Sequence, residues 1–245
     1  MQLGGLPIEL DVTVGSWIAD AVARAHWSTV GSLVPAGFPD FVRVLHPAYR
    51  YDGDDDVEIG WTEVAALNGT TAHPLMQWPA VTGGWEYLAE DSQPPTWDGT
   101  PAEGHLPCTL AQRMAAVLAR HTTTPDRCWL GRWAGFGYDT AELRDVPRLP
   151  LPRARDVVLV RGSAGDAVRN LAPEPSEQSA NIWWPTDRAW VVSTDIDLMS
   201  TYVAGSTACI ADLLAAPDLE VVPAAPDDHV GHADDPVNPI PPRDQ

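Results

Sequence analysis

Asn181-Ile-Trp-Trp-Pro-Thr-Asp-Arg-Ala-Trp-Val-Val-Ser-Thr-Asp-Ile-Asp197 is the stretch on which the reading of this chain turns. Its β-branched and aromatic run from Ala189 to Asp195 predicts a strand. Three of the chain's 11 tryptophans, Trp183, Trp184 and Trp190, crowd around that strand. Trp183-Trp184-Pro185 either braces the strand entry or projects from a loop as an anchor for a protein partner. Asp187 and Arg188 are adjacent and able to form ion pairs, and Asp195 and Asp197 follow. The stretch is therefore either the heart of a core or a binding face.

Working outward, Val-Val-Leu-Val at 157–160 reads as a buried strand, and 127–134 as another that ends at Gly135-Phe136-Gly137. Between them and the first half lies the clearest helix, 109–121, where Leu110, Met114, Val117, Leu118 and His121 fall on one face. Ser206 caps a helix that must stop near Ala216, because Pro217 restricts the residue before it. A strand at 219–222 closes the set. In the first half, Ser16 starts a helix running to about His26, Phe41 to Leu45 form a strand, and Thr62 starts a short helix stopped by Asn68-Gly69. Helices and strands in this order predict an α+β fold, a mixed or antiparallel sheet flanked by a few amphipathic helices. Residues 1–223 form one domain, with a possible seam in the Pro-, Gly- and Trp-bearing segment 70–104. Residues 224–245 carry few apolar side chains and predict a disordered acidic tail.

Composition narrows the function. The chain has 245 residues, with 34 acids against 15 basic residues and a formal charge of −19. Every basic residue is arginine, which excludes a lysine nucleophile, a Schiff base and a P-loop lysine. Such charge disfavours nucleic acid and anionic membranes as partners and favours a basic protein. Cys108, Cys128 and Cys209 are widely spaced with no paired motif, pointing to a reducing compartment and a cytoplasmic protein. No leader or membrane span is read. The histidines form no metal-binding pattern, and no cofactor fingerprint is present, so neither metal nor cofactor is expected.

Each remaining constellation has two readings. Strand alternation puts Trp129, Gly131 and Trp133 on one face, either as a flat platform for a sugar or planar ligand or as core under a helix. Asp195 and Asp197, two apart on an extended strand, would share a side and do acid–base work, or they end the strand and cap a turn. Asp52, Asp54, Asp56, Glu58 and Glu63 fall on a calcium-loop count, but Val57 stands where the glycine must be, so a solvated acidic hairpin is expected. Cys128, beside Leu130, reads as a buried inert thiol.

Two resemblances follow. Val34-Pro-Ala-Gly-Phe38, His73-Pro-Leu-Met-Gln-Trp78, Trp184-Pro-Thr-Asp-Arg-Ala-Trp190 and Asp195-Ile-Asp-Leu-Met-Ser-Thr-Tyr-Val-Ala-Gly-Ser206 resemble blocks in a family of actinobacterial proteins with no assigned activity. This resemblance spans about 15–225 and implies one continuous fold but no chemistry. The early helix, Leu33-Val-Pro-Ala-Gly-Phe-Pro-Asp-Phe41 and the acidity are similar to the SUKH-type immunity superfamily, which implies toxin binding. The family's Asn-Gly-Gly-like turn has only a partial echo in Asn68-Gly69. The expected function is thus non-enzymatic protein binding, with immunity the kind that the second resemblance implies, through Trp129, Trp133, Trp183, Trp184, Asp187, Arg188, Asp195 and Asp197. The alternative is a hydrolase-like enzyme using Asp195 and Asp197 beside a Trp129/Trp133 platform, and a purely structural role is a third.

Overall fold

The computed structural model describes residues 1–53, 55–89, 91–137 and 141–243. In chain order its strands are β1 (Gln2–Leu3), β2 (Leu6–Pro7), β3 (Asp40–Leu45), β4 (Ala48–Asp52), β5 (Asp55–Ile59), β6 (Cys128–Trp133), β7 (Val157–Gly162), β8 (Ile182–Pro185), β9 (Trp190–Ser193), β10 (Ser200–Gly205) and β11 (Val221–Ala224). The helices are α1 (Ser16–Val22), α2 (Trp61–Asn68), α3 (Trp78–Thr82), α4 (Cys108–Leu118) and α5 (Thr207–Leu214). Seven strands form one sheet in the order β11-β3-β10-β9-β8-β6-β7. Every neighbouring pair is antiparallel. The fold is α+β.

The two-residue period of a strand divides the sheet's side chains between two layers. Leu130, Val158, Val160, Trp183, Trp190, Val192 and Val203 point to one face, where they meet Met114 and Leu118 of α4 and Ile210 and Leu213 of α5. Val157, Leu159, Ile182, Trp184, Val191 and Ala204 point to the other, under α1 and the turns that follow it. Trp190 Nε1 donates to the Leu118 carbonyl at 3.0 Å, which satisfies the indole where it is buried.

A third cluster joins the β4–β5 hairpin, α2 and α3 around Trp61, Trp78 and Trp97. Arg43, buried on β3, ties this cluster to the sheet: it donates to Ser200 Oγ at 2.9 Å and to the Met76 carbonyl at 2.7 Å. The segment 70–104 is therefore held by its indoles and by α3, though it lacks any long period. The acidic run does form a hairpin, with Asp52 opposite Asp55, and Asp54 lies outside the described residues.

Several expectations need correction. β8 and β10 have no strand signal of their own in the sequence, yet β10 pairs on both sides and lies near the middle of the sheet. Its Ser-Thr start and Ala-Gly end disguise a strand whose Thr201, Val203 and Ala204 are fully buried. α1 ends at Val22, four residues early, and its N-cap is Gly15; Asp11 instead caps the preceding turn through the Thr13 amide. α2 is capped from a distance, as the Glu220 carboxylate accepts from the Trp61 and Thr62 amides at 2.6 and 2.8 Å. After β7, Ala164–Val168 make one short 3₁₀ turn, capped by Ser163.

The disordered tail is the largest correction. Residues 225–243 run back along the body, and Val230, Asp235 and Asn238 are buried. Polar hooks replace the missing apolar surface: Asn238 Oδ1 accepts from the Thr71 amide at 2.8 Å, and Asp235 accepts from the Gln77 amide at 3.1 Å. Residues 244–245 lie outside the described set. Among the described residues no helix is long and apolar enough to cross a membrane.

Candidate functional site

The turn from β9 to β10 opens onto a groove. Asp195 and Asp197 occupy that turn rather than an extended strand, and Asp195 Oδ1 accepts from the Asp197 amide at 3.0 Å. Facing them, residues 151–155 lead into β7. Arg155 donates from Nε to Asp195 Oδ2 at 3.0 Å and from Nη2 to Asp195 Oδ1 at 3.2 Å. The same Nη2 also contacts Asp197. Burial works against the charge of this guanidinium, but the two carboxylates outweigh it and hold the group above its ordinary range. The Arg155 guanidinium carbon lies 5.8 Å from the Trp133 ring centre, and Trp133 Nε1 donates to the Ala154 carbonyl at 2.7 Å.

From this clamp the groove runs two ways. One arm is a mostly apolar cleft lined by Val22, Leu33, Leu151 and Ile182. The other is an open trough of about 400 Å³, whose walls include Trp27, Arg153, Asp197, Val230 and His232. Asp195 is mostly covered, with 16% of its side chain exposed, whereas Asp197 is 70% exposed. Arg153 lies over the Trp27 ring at 4.1 Å, and Trp27 is 58% exposed.

Backbone strain gathers at the same place. Ser28, Arg153 and Ala154 have φ of 62°, 64° and 59°. Non-glycine residues rarely adopt this left-handed region, because Cβ crowds the backbone there. Such residues persist where surrounding structure over-determines them, and they cluster at binding and catalytic sites.

A buried polar chain underlies the cleft. His46 Nδ1 lies 2.7 Å from the Ala102 carbonyl, which only accepts, so the proton resides on Nδ1 and Nε2 accepts from Thr201 at 2.9 Å. Thr201 and Thr194 hydroxyls are 2.6 Å apart, and Thr194 reaches the cleft. Burial lowers the His46 pKa to about 3, so the ring is neutral and acts as a spacer, not a proton shuttle. Only the unusual His46-Pro47 strand end hinted at it in the sequence.

The expected site residues separate into those the fold brings together and those it does not. Asp195, Asp197 and Trp133 share the groove. Trp129 does not: it lies two strand positions beyond Gly131 and stacks on Trp184, with ring centres 6.0 Å apart. The space over Gly131 is filled, since a Cβ there would meet Ile182 at 2.8 Å and Val157 at 2.9 Å. A continuous Trp129/Trp133 platform is thus replaced by packed aliphatic side chains. Trp183 and Trp184 are fully buried and present no surface. Asp187 accepts from the Thr122 and Thr123 hydroxyls, each at 2.7 Å, and so fastens a loop. Arg188 instead covers the Trp17 ring at 5.0 Å.

The sequence reading missed Arg155, Arg153 and Trp27. An arginine in a Pro-Arg-Ala-Arg run carries no periodic signal, and only tertiary structure sets it against the aspartates. The thiols of Cys128 and Cys209 are buried, and burial pushes both up to about 12. No group of three or more His, Cys, Asp or Glu among the described residues is placed to hold a metal ion. No protein-family model, curated protein or solved structure matches this chain.

Proposed function

We propose that the protein works by binding, and that the groove takes a segment of a basic protein partner. The observation that carries this reading is the Asp195–Arg155–Asp197 clamp at the junction of an apolar cleft and a polar trough. An apolar side chain enters the cleft lined by Leu33 and Ile182, and a neighbouring Arg or Lys of the same segment reaches the exposed carboxylate of Asp197. The formal charge of −19 steers a cationic partner toward the protein over long range. The resemblance to SUKH-type immunity proteins makes a toxin domain one instance of such a partner.

The hydrolase reading is favoured by one fact, the shared groove position of Asp195 and Asp197. Against it, both carboxylates are already engaged by one guanidinium, that of Arg155, so neither is presented unpaired to a substrate. Selection of a random dodecapeptide display library on the full-length protein tests binding. Recovered peptides should join an apolar residue to Arg or Lys, and recovery should fall at least tenfold on Leu33→Trp, which fills the cleft. Equal recovery on the two proteins would overturn the proposal.

A further inference from the structure

One wall of the groove is supplied from far away in the sequence. Residues 225–243 pass along the 28–31 turn, where the Gly31 amide donates to the Pro226 carbonyl at 2.8 Å and the Val30 amide to the Asp228 carbonyl at 3.0 Å. The Val230 amide returns a bond to the Ser28 carbonyl at 3.1 Å. These contacts bring Val230, Gly231 and His232 to the trough that Arg153 also lines. The same turn carries Trp27 and the left-handed Ser28.

What holds this wall is polar. Val230 is the only apolar side chain of 225–243 that is buried. The anchor is the Asp235 carboxylate, which accepts from the amides of Gln77 at 3.1 Å, Val237 at 2.9 Å and Asn238 at 2.7 Å. His73 Nε2 lies 2.9 Å from the same carboxylate, and Asn238 Nδ2 donates to it at 3.1 Å. Farther along, Trp85 Nε1 donates to the Pro241 carbonyl at 2.6 Å and Arg243 lies over the Trp85 ring at 4.3 Å. Segments with few buried apolar contacts open at lower free energy than the strands they lie on. Here the sheet is covered on both faces by aliphatic and indole packing, and the wall has only Val230.

We infer that residues 225–243 are a hinged wall of the groove, fastened through Asp235 and able to leave Trp27 without unfolding the sheet. The inference rests on the groove as the binding site and gives it a means of admitting a chain segment. With the wall docked, Val230 and His232 line the trough together with Trp27 and Arg153; with it released, the Trp27 and Arg153 side lies uncovered. Opening is therefore coupled to occupancy, because an occupant that touches Val230 or His232 favours the docked state by its differential contacts.

Hydrogen exchange of the full-length protein tests this without any ligand, so its outcome is independent of the peptide selection. In the wild type the amides of Val230, Val237 and Asn238 should exchange at least a hundredfold faster than those of Val192 and Val203 in the sheet. Asp235→Asn should speed the first group a further tenfold or more and leave the second unchanged. A Thr29→Cys/His229→Cys disulfide, at positions bridged in the structure, should slow exchange at 226–231 when oxidised and release it when reduced. Common exchange rates for wall and sheet in the wild type, or no response of the wall to Asp235→Asn, would overturn the inference.

Discussion

The two faces of the seven-stranded sheet start from the same strands and end differently. On one, α4 and α5 lay continuous apolar stripes over Trp183 and Trp190, and nothing of those indoles remains exposed. On the other, α1 has only seven residues, and turns must do the rest. That leaves Trp133 half-buried at the edge of a groove. The difference teaches that an indole on a strand becomes core or surface according to the length of what covers it, not its spacing along the strand. Truncation separates the faces most strongly. Trp190→Ala, which also breaks a T-shaped contact to Trp183 at 5.0 Å, should lower unfolding free energy by ~3–5 kcal/mol in chemical denaturation. Trp133→Ala should lower it by about 0.8–1.5 kcal/mol, half of what full burial of a large side chain is worth. Equal losses would erase the distinction.

Gly131 probes the boundary between platform and packing. Gly131→Ala places a methyl against Ile182 and Val157 at under 3 Å, so the aliphatic layer must shift. Overpacking of this kind costs about 1–3 kcal/mol, read as a lower denaturation midpoint. A stabilising Gly131→Ala would mean that the space between Trp129 and Trp133 is open.

The polar chain beneath the cleft gives the comparison a pH dependence. His46 has its pKa lowered to about 3 by burial, while an unfolded histidine titrates near 6.5. Below about 6.5 the unfolded chain takes up a proton that the native ring refuses, so stability is full above that pH and falls as pH drops toward 3. The slope from this one group approaches ~1.4 kcal/mol per pH unit. Burial also lowers the pKa of His105, which adds a share of the same sign. Melting curves between pH 7 and 5 should show a shallower acid loss for His46→Gln than for the wild type. An unchanged slope would show that the ring is already protonated in the fold.

Strands β3, β6, β7 and β9, rich in aliphatic or aromatic side chains, were legible in the sequence, as were α4 and α5, because apolar patterning survives where a face is buried. β10 was not, since Ser-Thr-Tyr-Val-Ala-Gly mixes turn formers with strand formers and is held in place by β3 and β9 on either side. The packed course of 225–243 was hidden for a related reason: its anchors are Asp235 and Asn238, residues whose abundance normally signals disorder. At the groove, the aspartates were visible as a pair, but their shared turn and their partner Arg155 are products of tertiary contact. Indole counting misled most, because it cannot tell Trp183 from Trp27.

The clamp itself supplies the smallest and sharpest test. Arg155 is shared by one covered and one exposed carboxylate, so its two pairs belong to the two environments being compared. Double-mutant cycles with Arg155→Met should give a coupling to Asp197 of about 0.2–1 kcal/mol, the range of exposed ion pairs. Half-molar salt should shrink it further, since exposed charges are screened. Coupling to Asp195 should be larger and less sensitive to salt, because its bidentate geometry is largely withdrawn from water. Asp197 then stays free to exchange Arg155 for the cation of an incoming segment, which the proposed mode of binding requires. A larger coupling at Asp197 than at Asp195 would mean that the mouth of the groove is fastened shut, and the open face would be open in shape alone.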